Sequence, residues 1–186
     1  MNEIKNHNVE KLMPEMYALR LTLREGVRQI LESIPSQRYP EIIEFSRTKL
    51  IRPGLVELLD FLEAKKIPFV VVSGGVRVMV ETVLGKLTER VSAIYAVDLE
   101  AKGDYLKVHS AWEGETELVS KVDVINQYQP DEAIAIGDSV TDLNMAMSVP
   151  LVFARDRLAK YMDERQKPYI LWHDFFDVLN HLSQIW

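Results

Sequence analysis

Two aspartates are spaced for cation binding at the end of a predicted strand. Asp138 comes directly after Gly137 and the short apolar run at residues 133–136, and Asp142 follows four residues later. That spacing puts both carboxylates on one side of a turn that enters a helix. Two carboxylates there suit Mg2+, a hard cation that prefers oxygen ligands and keeps several waters. The spacing is equally typical of a helix N-cap followed by a favourable charge, so both interpretations stay open at this point.

A hydroxyl and two glycines form a second pattern of chemical interest. Ser73, Gly74 and Gly75 follow residues 67–72, an apolar and mostly β-branched run that predicts a buried strand. Glycines let backbone N–H groups approach a ligand closely, and the N-terminus of a following helix favours an anion. The pattern indicates a phosphate-binding turn, although a tight turn capped by Ser73 accounts for the same residues.

Other side chains give weaker indications. Lys121 lies in a predicted helix at residues 117–128, where a lysine is usually a solvated surface residue. Arg155 follows a predicted strand at residues 151–153 and can either reach an anion or pair with a neighbouring carboxylate. The four histidines show no metal-ligand spacing, and the chain has no cysteine. Disulfides, thiolate nucleophiles and cysteine-bound zinc are therefore excluded.

Local signals mark where helices begin. Thr22 and Glu25 form a capping-box pattern, and Pro40 is suited to the first turn of another helix. Asp156 and Asp174 are predicted N-caps of the last two helices. The first fifty residues are predicted to form helices and no strand.

The rest of the chain alternates helices with short apolar strands. A hairpin turn is predicted at residues 101–104, with its second strand in residues 105–112. The other strands are predicted near residues 67–72, 91–97, 133–136 and 151–153. This alternation predicts an α/β fold with a parallel sheet covered by helices on both faces. Ligands bind at the carboxyl ends of the strands in such sheets, and both Ser73 and Asp138 lie at such ends.

Composition narrows the class of partner. The chain has 186 residues, of which 47% are hydrophobic and 27% charged, with a formal net charge of −6. An acidic balance argues against nucleic acid but leaves a small anionic ligand possible. No apolar run approaches the roughly 18 residues needed to span a bilayer, so no membrane partner is expected. Residues 1–10 are polar and lack the apolar stretch of a signal peptide, so we expect a cytoplasmic protein. Oligomeric state is not indicated.

The order of these motifs resembles the haloacid dehalogenase (HAD) superfamily. Its second, third and fourth motifs are similar to Ser73 after a strand, then a lysine, then Asp138 and Asp142 after another strand. The chain looks most like the 2-hydroxy-3-keto-5-methylthiopentenyl-1-phosphate phosphatase group of methionine salvage, with phosphoserine phosphatases as close relatives. The likeness runs from about Pro14 to the C-terminus, and its most specific part is the sequence GDSVTD at residues 137–142.

The resemblance implies a Mg2+-dependent phosphatase that acts on a small phosphomonoester. Lys121 would neutralise charge on the phosphoryl oxygens, and Ser73 would hydrogen-bond the transferring phosphoryl group. Asp138 would ligate Mg2+, and Asp142 would support the metal site directly or through water. The implied phosphate-binding residues are Ser73, Gly74, Gly75 and Lys121.

The resemblance also implies a division of the chain. Residues 1–52 would form a helical cap over the substrate, and residues 53–186 an α/β core with a hairpin insertion at about residues 93–112. Four cap side chains are candidates to line the site, although each is equally suited to an ordinary surface: Arg20, Arg24, Glu25 and Arg47.

One departure from the family concerns its first motif, an Asp-x-Asp pair on the central strand of the sheet. The first aspartate of that pair attacks phosphorus, and the second acts as general acid and base. This sequence has no aspartate before Asp60 and no Asp-x-Asp pair anywhere. The central first strand itself is expected to be absent, because no apolar strand precedes the cap helices and nothing in residues 1–11 resembles a replacement. We therefore expect an N-terminally truncated chain that has no phosphatase activity and little stability alone. The alternative function is that of a non-catalytic protein of this fold that binds an anion or a partner.

Overall fold

The computed structural model describes residues 7–186, with side chains from residue 9 onward. Residues 7–11 belong to a helix, in line with the expectation that residues 1–11 contain no strand. For residues 1–6 that expectation lies outside the described residues. Three helices precede residue 52, as predicted: α1 (His7–Tyr17), α2 (Leu23–Glu32) and α3 (Tyr39–Arg47). The later helices are α4 (Leu55–Ala64), α5 (Arg77–Leu84), α6 (Lys121–Tyr128), α7 (Leu143–Ser148), α8 (Asp156–Glu164) and α9 (Phe175–Ile185).

The strands form two three-stranded sheets. They are β1 (Val70–Val76), β2 (Ala93–Glu100), β3 (Lys107–His109), β4 (Ile134–Gly137), β5 (Leu151–Ala154) and β6 (Ile170–Leu171). One sheet has the order β1-β2-β3, with β2 and β3 antiparallel as the predicted hairpin requires. The other has the order β4-β5-β6 and is parallel, which confirms the α/β prediction. β1 and β4 each lie at the edge of their own sheet, and β6 was not predicted because it has only two residues.

Helix starts follow the local signals in three of four cases. The Thr22 hydroxyl accepts the Glu25 N–H at 3.1 Å, Pro40 lies in the first turn of α3, and Asp174 accepts the Phe176 N–H at 2.9 Å. Each of the two side-chain caps, at Thr22 and Asp174, contributes about 1 kcal/mol to stability.

The prediction that Asp156 is an N-cap is wrong. Asp156 is the first residue of α8, with φ +48°, and its carboxylate binds Arg155 at 2.9 Å. The N–H groups that an N-cap at this position would satisfy already have partners. Leu158 donates to the Asp138 carbonyl at 3.1 Å, and Ala159 donates to the Arg155 carbonyl at 3.2 Å.

The chain divides into two compact units. The first comprises the described residues up to Lys49 together with Val72–Val83 and Tyr95–Ser120. In this unit α2 is bonded to β3, since Arg28 donates to the Val108 carbonyl at 3.1 Å and the Val108 N–H donates to Glu32 at 3.2 Å. A small apolar core forms beside them from Ile34, Ile42 and Leu106.

The second unit comprises Leu50–Val71, Leu84–Ile94 and Lys121–Trp186. Its apolar core joins α4, α9 and the parallel sheet, and consists of Leu58, Leu62, Phe153, Trp172, Val178 and Leu182. Fully burying such a side chain contributes roughly 1.5–3 kcal/mol. This core holds the carboxyl ends of β4, β5 and β6 in place. Across residues 7–186, no helix combines the length and apolarity that a membrane crossing needs.

Candidate active site

The turn after β4 is organised by the carboxylate of Asp142. Its Oδ2 atom accepts the backbone N–H groups of Asp138 at 2.9 Å and of Ser139 at 3.0 Å. The side chain is buried, so these bonds are formed away from competing water. The Asp142 side chain therefore fixes the backbone conformation of residues 138–142, and with it the position of Asp138 at the end of β4.

The other oxygen of Asp142 binds the ammonium group of Lys121. Lys121 Nζ donates to Asp142 Oδ1, and the side chains are only 4% and 10% exposed. Lys121 is the first residue of α6 and comes from 21 positions earlier in the chain. It is therefore not the solvated surface residue that a lysine in such a helix usually is. A buried cation with a single anionic partner is costly to form and strongly destabilising to break.

Gly137 makes room for this arrangement. A Cβ atom at position 137 would lie 2.7 Å from the Cβ, Cγ and Oδ2 atoms of Asp142, which is closer than any ordinary contact. The carbonyl of Gly137 accepts the Trp172 Nε1–H at 3.1 Å, which ties the turn to the core of the second unit. The glycine is thus required by close approach rather than by backbone conformation.

We expect Gly137→Ala to destabilise the protein by about 2 kcal/mol or more, because the new methyl group displaces the Asp142 carboxylate from its partners. The measurement is the midpoint of urea-induced unfolding. Gly103→Ala is the matched control, since the nearest atom to a Cβ there is the Tyr105 carbonyl oxygen at 3.8 Å. Equal midpoints for the two variants would contradict the packing argument.

Asp138 differs from Asp142 in its environment. Its side chain reaches solvent and makes no hydrogen bond or ion pair with the described part of the chain. Neighbouring atoms nevertheless crowd the carboxylate, and this partial desolvation raises its pKa, as does the charge of Asp142. The charges of Arg155 and Arg52 act in the opposite direction. A cation bound at Asp138 would favour the ionised carboxylate further.

The donor chemistry of this turn fits Mg2+ in part. No set of three or more carboxylates or histidines within residues 7–186 is grouped to hold a metal by itself. Mg2+ does not require such a set, because it is commonly bound by one or two carboxylates, waters and substrate phosphate. Asp138 offers free carboxylate oxygens. Asp142 already uses one oxygen for Lys121 and the other for two amides.

Ser73 lies in the first unit, whereas Lys121, Asp138 and Asp142 are brought together in the second. β1 continues through Gly74 and Gly75 to Val76, so the predicted turn is part of an extended strand. The Gly75 N–H donates to Ser73 Oγ at 3.1 Å, which leaves the hydroxyl hydrogen of Ser73 to donate elsewhere.

The four candidate cap residues all have hydrogen-bond or ion-pair partners in the first unit. These are Glu15 for Arg20, Glu113 and the Gly114 carbonyl for Arg24, Thr22 for Glu25, and Glu44 for Arg47. A role in binding substrate remains a prediction for each of them.

Sequence reasoning missed two residues that shape this region. Trp172 anchors the turn through its indole N–H, and Arg52 places a positive charge near Asp138. A tryptophan in an apolar run signals a need for a hydrogen-bond acceptor. No local signal identifies the acceptor as Gly137, 35 residues earlier.

Comparisons with known proteins identify the family of this chain. The family of haloacid dehalogenase-like hydrolases matches residues 4–147. A 2-hydroxy-3-keto-5-methylthiopentenyl-1-phosphate phosphatase from Microcystis aeruginosa is 53% identical over 174 residues, which cover 92% of this chain and 83% of that protein. The phosphatase of the same name from Bacillus cytotoxicus is 29% identical, with 95% of this chain and 84% of that protein covered.

Solved structures show the same fold. A phospho-aspartyl intermediate analogue of phosphoserine phosphatase has a TM-score of 0.70 and 20% identity, covering 94% of this chain and 85% of that one. A substrate-bound phosphoserine phosphatase has a TM-score of 0.66 and 19% identity, covering 93% and 83%. Phosphatases of this family are generally Mg2+-dependent. The family match spans most of the sequence and the Microcystis relative is similar over 92% of this chain, so this chain belongs to the haloacid dehalogenase-like hydrolases.

Proposed function

We propose that this protein is a phosphomonoester phosphatase whose substrate is 2-hydroxy-3-keto-5-methylthiopentenyl-1-phosphate. Hydrolysis of this ester is a step of methionine salvage. The structural observation that carries the proposal is the buried lysine at the carboxyl end of the parallel sheet, paired with Asp142 and adjacent to Asp138. The substrate comes from the names of relatives such as the Microcystis phosphatase at 53% identity.

The proposed roles follow from the charges of the side chains. Lys121 balances the negative charge that accumulates on the phosphoryl oxygens, and its burial strengthens that interaction. Asp142 holds the Lys121 ammonium in place and supports the metal site by ordering the turn that carries Asp138. Asp138 binds Mg2+, which when present neutralises phosphate charge and orients the ester.

Residues 73–75, which belong to β1, are also proposed to bind the phosphoryl group. The Ser73 hydroxyl donates to a phosphoryl oxygen, and its position is fixed by the bond from the Gly75 N–H at 3.1 Å. Gly74 and Gly75 are proposed to bind phosphate with it, because a glycine has no side chain that would keep a phosphoryl group away from the backbone. We further propose that residues 1–52 act as the substrate-selecting cap of a core at residues 53–186, with the hairpin at about residues 93–112 as an insertion.

The attack on phosphorus is not assigned to any residue of this chain, because the sequence contains no Asp-x-Asp pair. That observation favours the second candidate function, a non-catalytic protein of the same fold that binds an anion through the same side chains. The two candidate functions predict different results when an Asp-x-Asp pair is supplied. A phosphatase gains turnover, whereas a non-catalytic protein does not.

The test is a version of the protein extended at its N-terminus by a strand that ends in Asp-x-Asp. We expect it to hydrolyse the methionine-salvage ester with Mg2+ and to lose activity in excess chelator, whereas residues 1–186 alone show no turnover. An extension ending in Asn-x-Asn is the matched control. Activity that survives the chelator, or an inactive extended protein that is folded, would count against the proposal.

A further inference from the structure

Two arginines converge on one point at the carboxyl end of the β4-β5-β6 sheet. The Nη1 atoms of Arg52 and Arg155 lie 3.4 Å and 3.1 Å from the carbonyl oxygen of His173. Their guanidinium carbons lie 6.0 Å and 5.5 Å from the centre of the Trp172 ring, within the range of cation–π attraction. One carbonyl group and one aromatic ring therefore hold two positive charges side by side.

The charge of this pair is only partly balanced. Arg155 binds the carboxylate of Asp156 at 2.9 Å. Arg52 has no carboxylate partner among the described residues, and its side chain is exposed. Most other arginines of these residues are paired with an aspartate or glutamate, as Arg90 is with Asp60 and Glu63. An unpaired guanidinium beside a second one is electrostatically unfavourable unless an anion joins them.

The pair is held by a rigid part of the molecule. Trp172 is 5% exposed, belongs to the core of the second unit and donates to the Gly137 carbonyl at 3.1 Å. The neighbouring backbone is fixed as well, since the Phe175 N–H donates to the Pro53 carbonyl at 2.9 Å. The guanidinium groups therefore lose little conformational freedom when a ligand binds.

Position and chemistry define the ligand. Arg155 follows β5, Trp172 follows β6, and the charges of both arginines reach the Asp138 carboxylate after β4. Ligands of parallel sheets bind at these strand ends. Guanidinium groups present several N–H donors in a planar fork that matches the oxygens of phosphate, and only part of that donor set is used by His173 and Asp156.

We propose that Arg52 and Arg155 form an oxyanion subsite that binds a phosphoryl dianion. It is a separate site from the one assigned to Ser73 and Lys121, and it does not depend on turnover. A dianion bridging the two guanidinium groups removes their mutual repulsion. The dianion is either free phosphate or the phosphoryl group of an ester, and the two sources are separated by experiment.

The experiment titrates residues 1–186 with inorganic phosphate at constant ionic strength and follows the Trp172 indole N–H resonance by NMR. We expect saturable binding that is weakened at least tenfold in Arg52→Gln/Arg155→Gln and severalfold in Arg52→Gln alone. Arg90→Gln is the matched control, because it removes an arginine of the same unit that is already paired. Phenyl phosphate replaces inorganic phosphate in a second arm, and tighter binding of one of them identifies the source.

The proposal is overturned if phosphate binds equally well to the wild type and the double variant, or if Arg90→Gln weakens binding as much. Loss of binding only in Lys121→Met would also overturn it, since the anion would then bind at the Lys121 site. Arg52→Gln changes an exposed side chain, so it keeps the test decisive even if the double variant unfolds.

Discussion

Lys121→Met is expected to abolish turnover in the N-terminally extended protein and to lower the free energy of unfolding by about 3–5 kcal/mol, the usual cost of leaving one member of a buried ion pair uncompensated. Methionine keeps the apolar stem but removes the charge. The carboxylate of Asp142 then stays buried beside two amide donors without its cation. Turnover and urea-induced unfolding measure the two effects separately.

The matched control is the double variant Lys121→Met/Asp142→Asn. An asparagine side chain keeps a carbonyl oxygen for the N–H groups of Asp138 and Ser139 but carries no charge, so we expect the double variant to be more stable than Lys121→Met alone. Turnover should not recover, because the phosphoryl group still lacks its counter-charge. If Lys121→Met were as stable and active as the extended protein without the substitution, Lys121 would be neither structural nor catalytic.

Asp138→Asn is expected to lower turnover, as Lys121→Met does, but to leave the free energy of unfolding almost unchanged. Turnover and Mg2+ affinity should each fall by orders of magnitude in the extended protein, because a neutral amide is a poor ligand for a hard cation. The unfolding midpoint should hardly change, since the Asp138 carboxylate makes no side-chain hydrogen bond with the described side chains and its partial desolvation disfavours the charged form. Calorimetric Mg2+ titration and urea-induced unfolding measure the two quantities.

Asp131→Asn is the control for Asp138→Asn, as it removes an exposed aspartate from the loop before β4. If Asp131→Asn reduced Mg2+ affinity as much, the effect would come from net charge rather than from ligation. If Asp138→Asn destabilised the fold as much as Lys121→Met, the two residues would share one structural role, and the distinction between ligand and counter-ion would be wrong.

The candidate site illustrates what spacing can and cannot predict. Residues four apart at a helix entrance were expected to point their carboxylates to one side, and both do lie at the turn after β4. Their roles nevertheless differ, because the Asp142 carboxylate accepts the amides of the turn while the Asp138 carboxylate has no hydrogen-bond or ion-pair partner among the described residues. The difference depends on Lys121, which the fold brings from α6 to neutralise Asp142.

The amino-acid sequence by itself determined the parallel α/β architecture, the helices before residue 52, the caps at Thr22 and Asp174, and the positions of the aspartates after β4. Each of these depends on residues that are near one another in the chain, where periodicity and capping chemistry act directly. Only the tertiary structure decided that Lys121 is buried and that Asp156 does not cap α8. It also decided that the guanidinium groups of Arg52 and Arg155 both lie near the Trp172 ring. These outcomes depend on desolvation and on hydrogen bonds between distant segments, which exist only after the chain has packed.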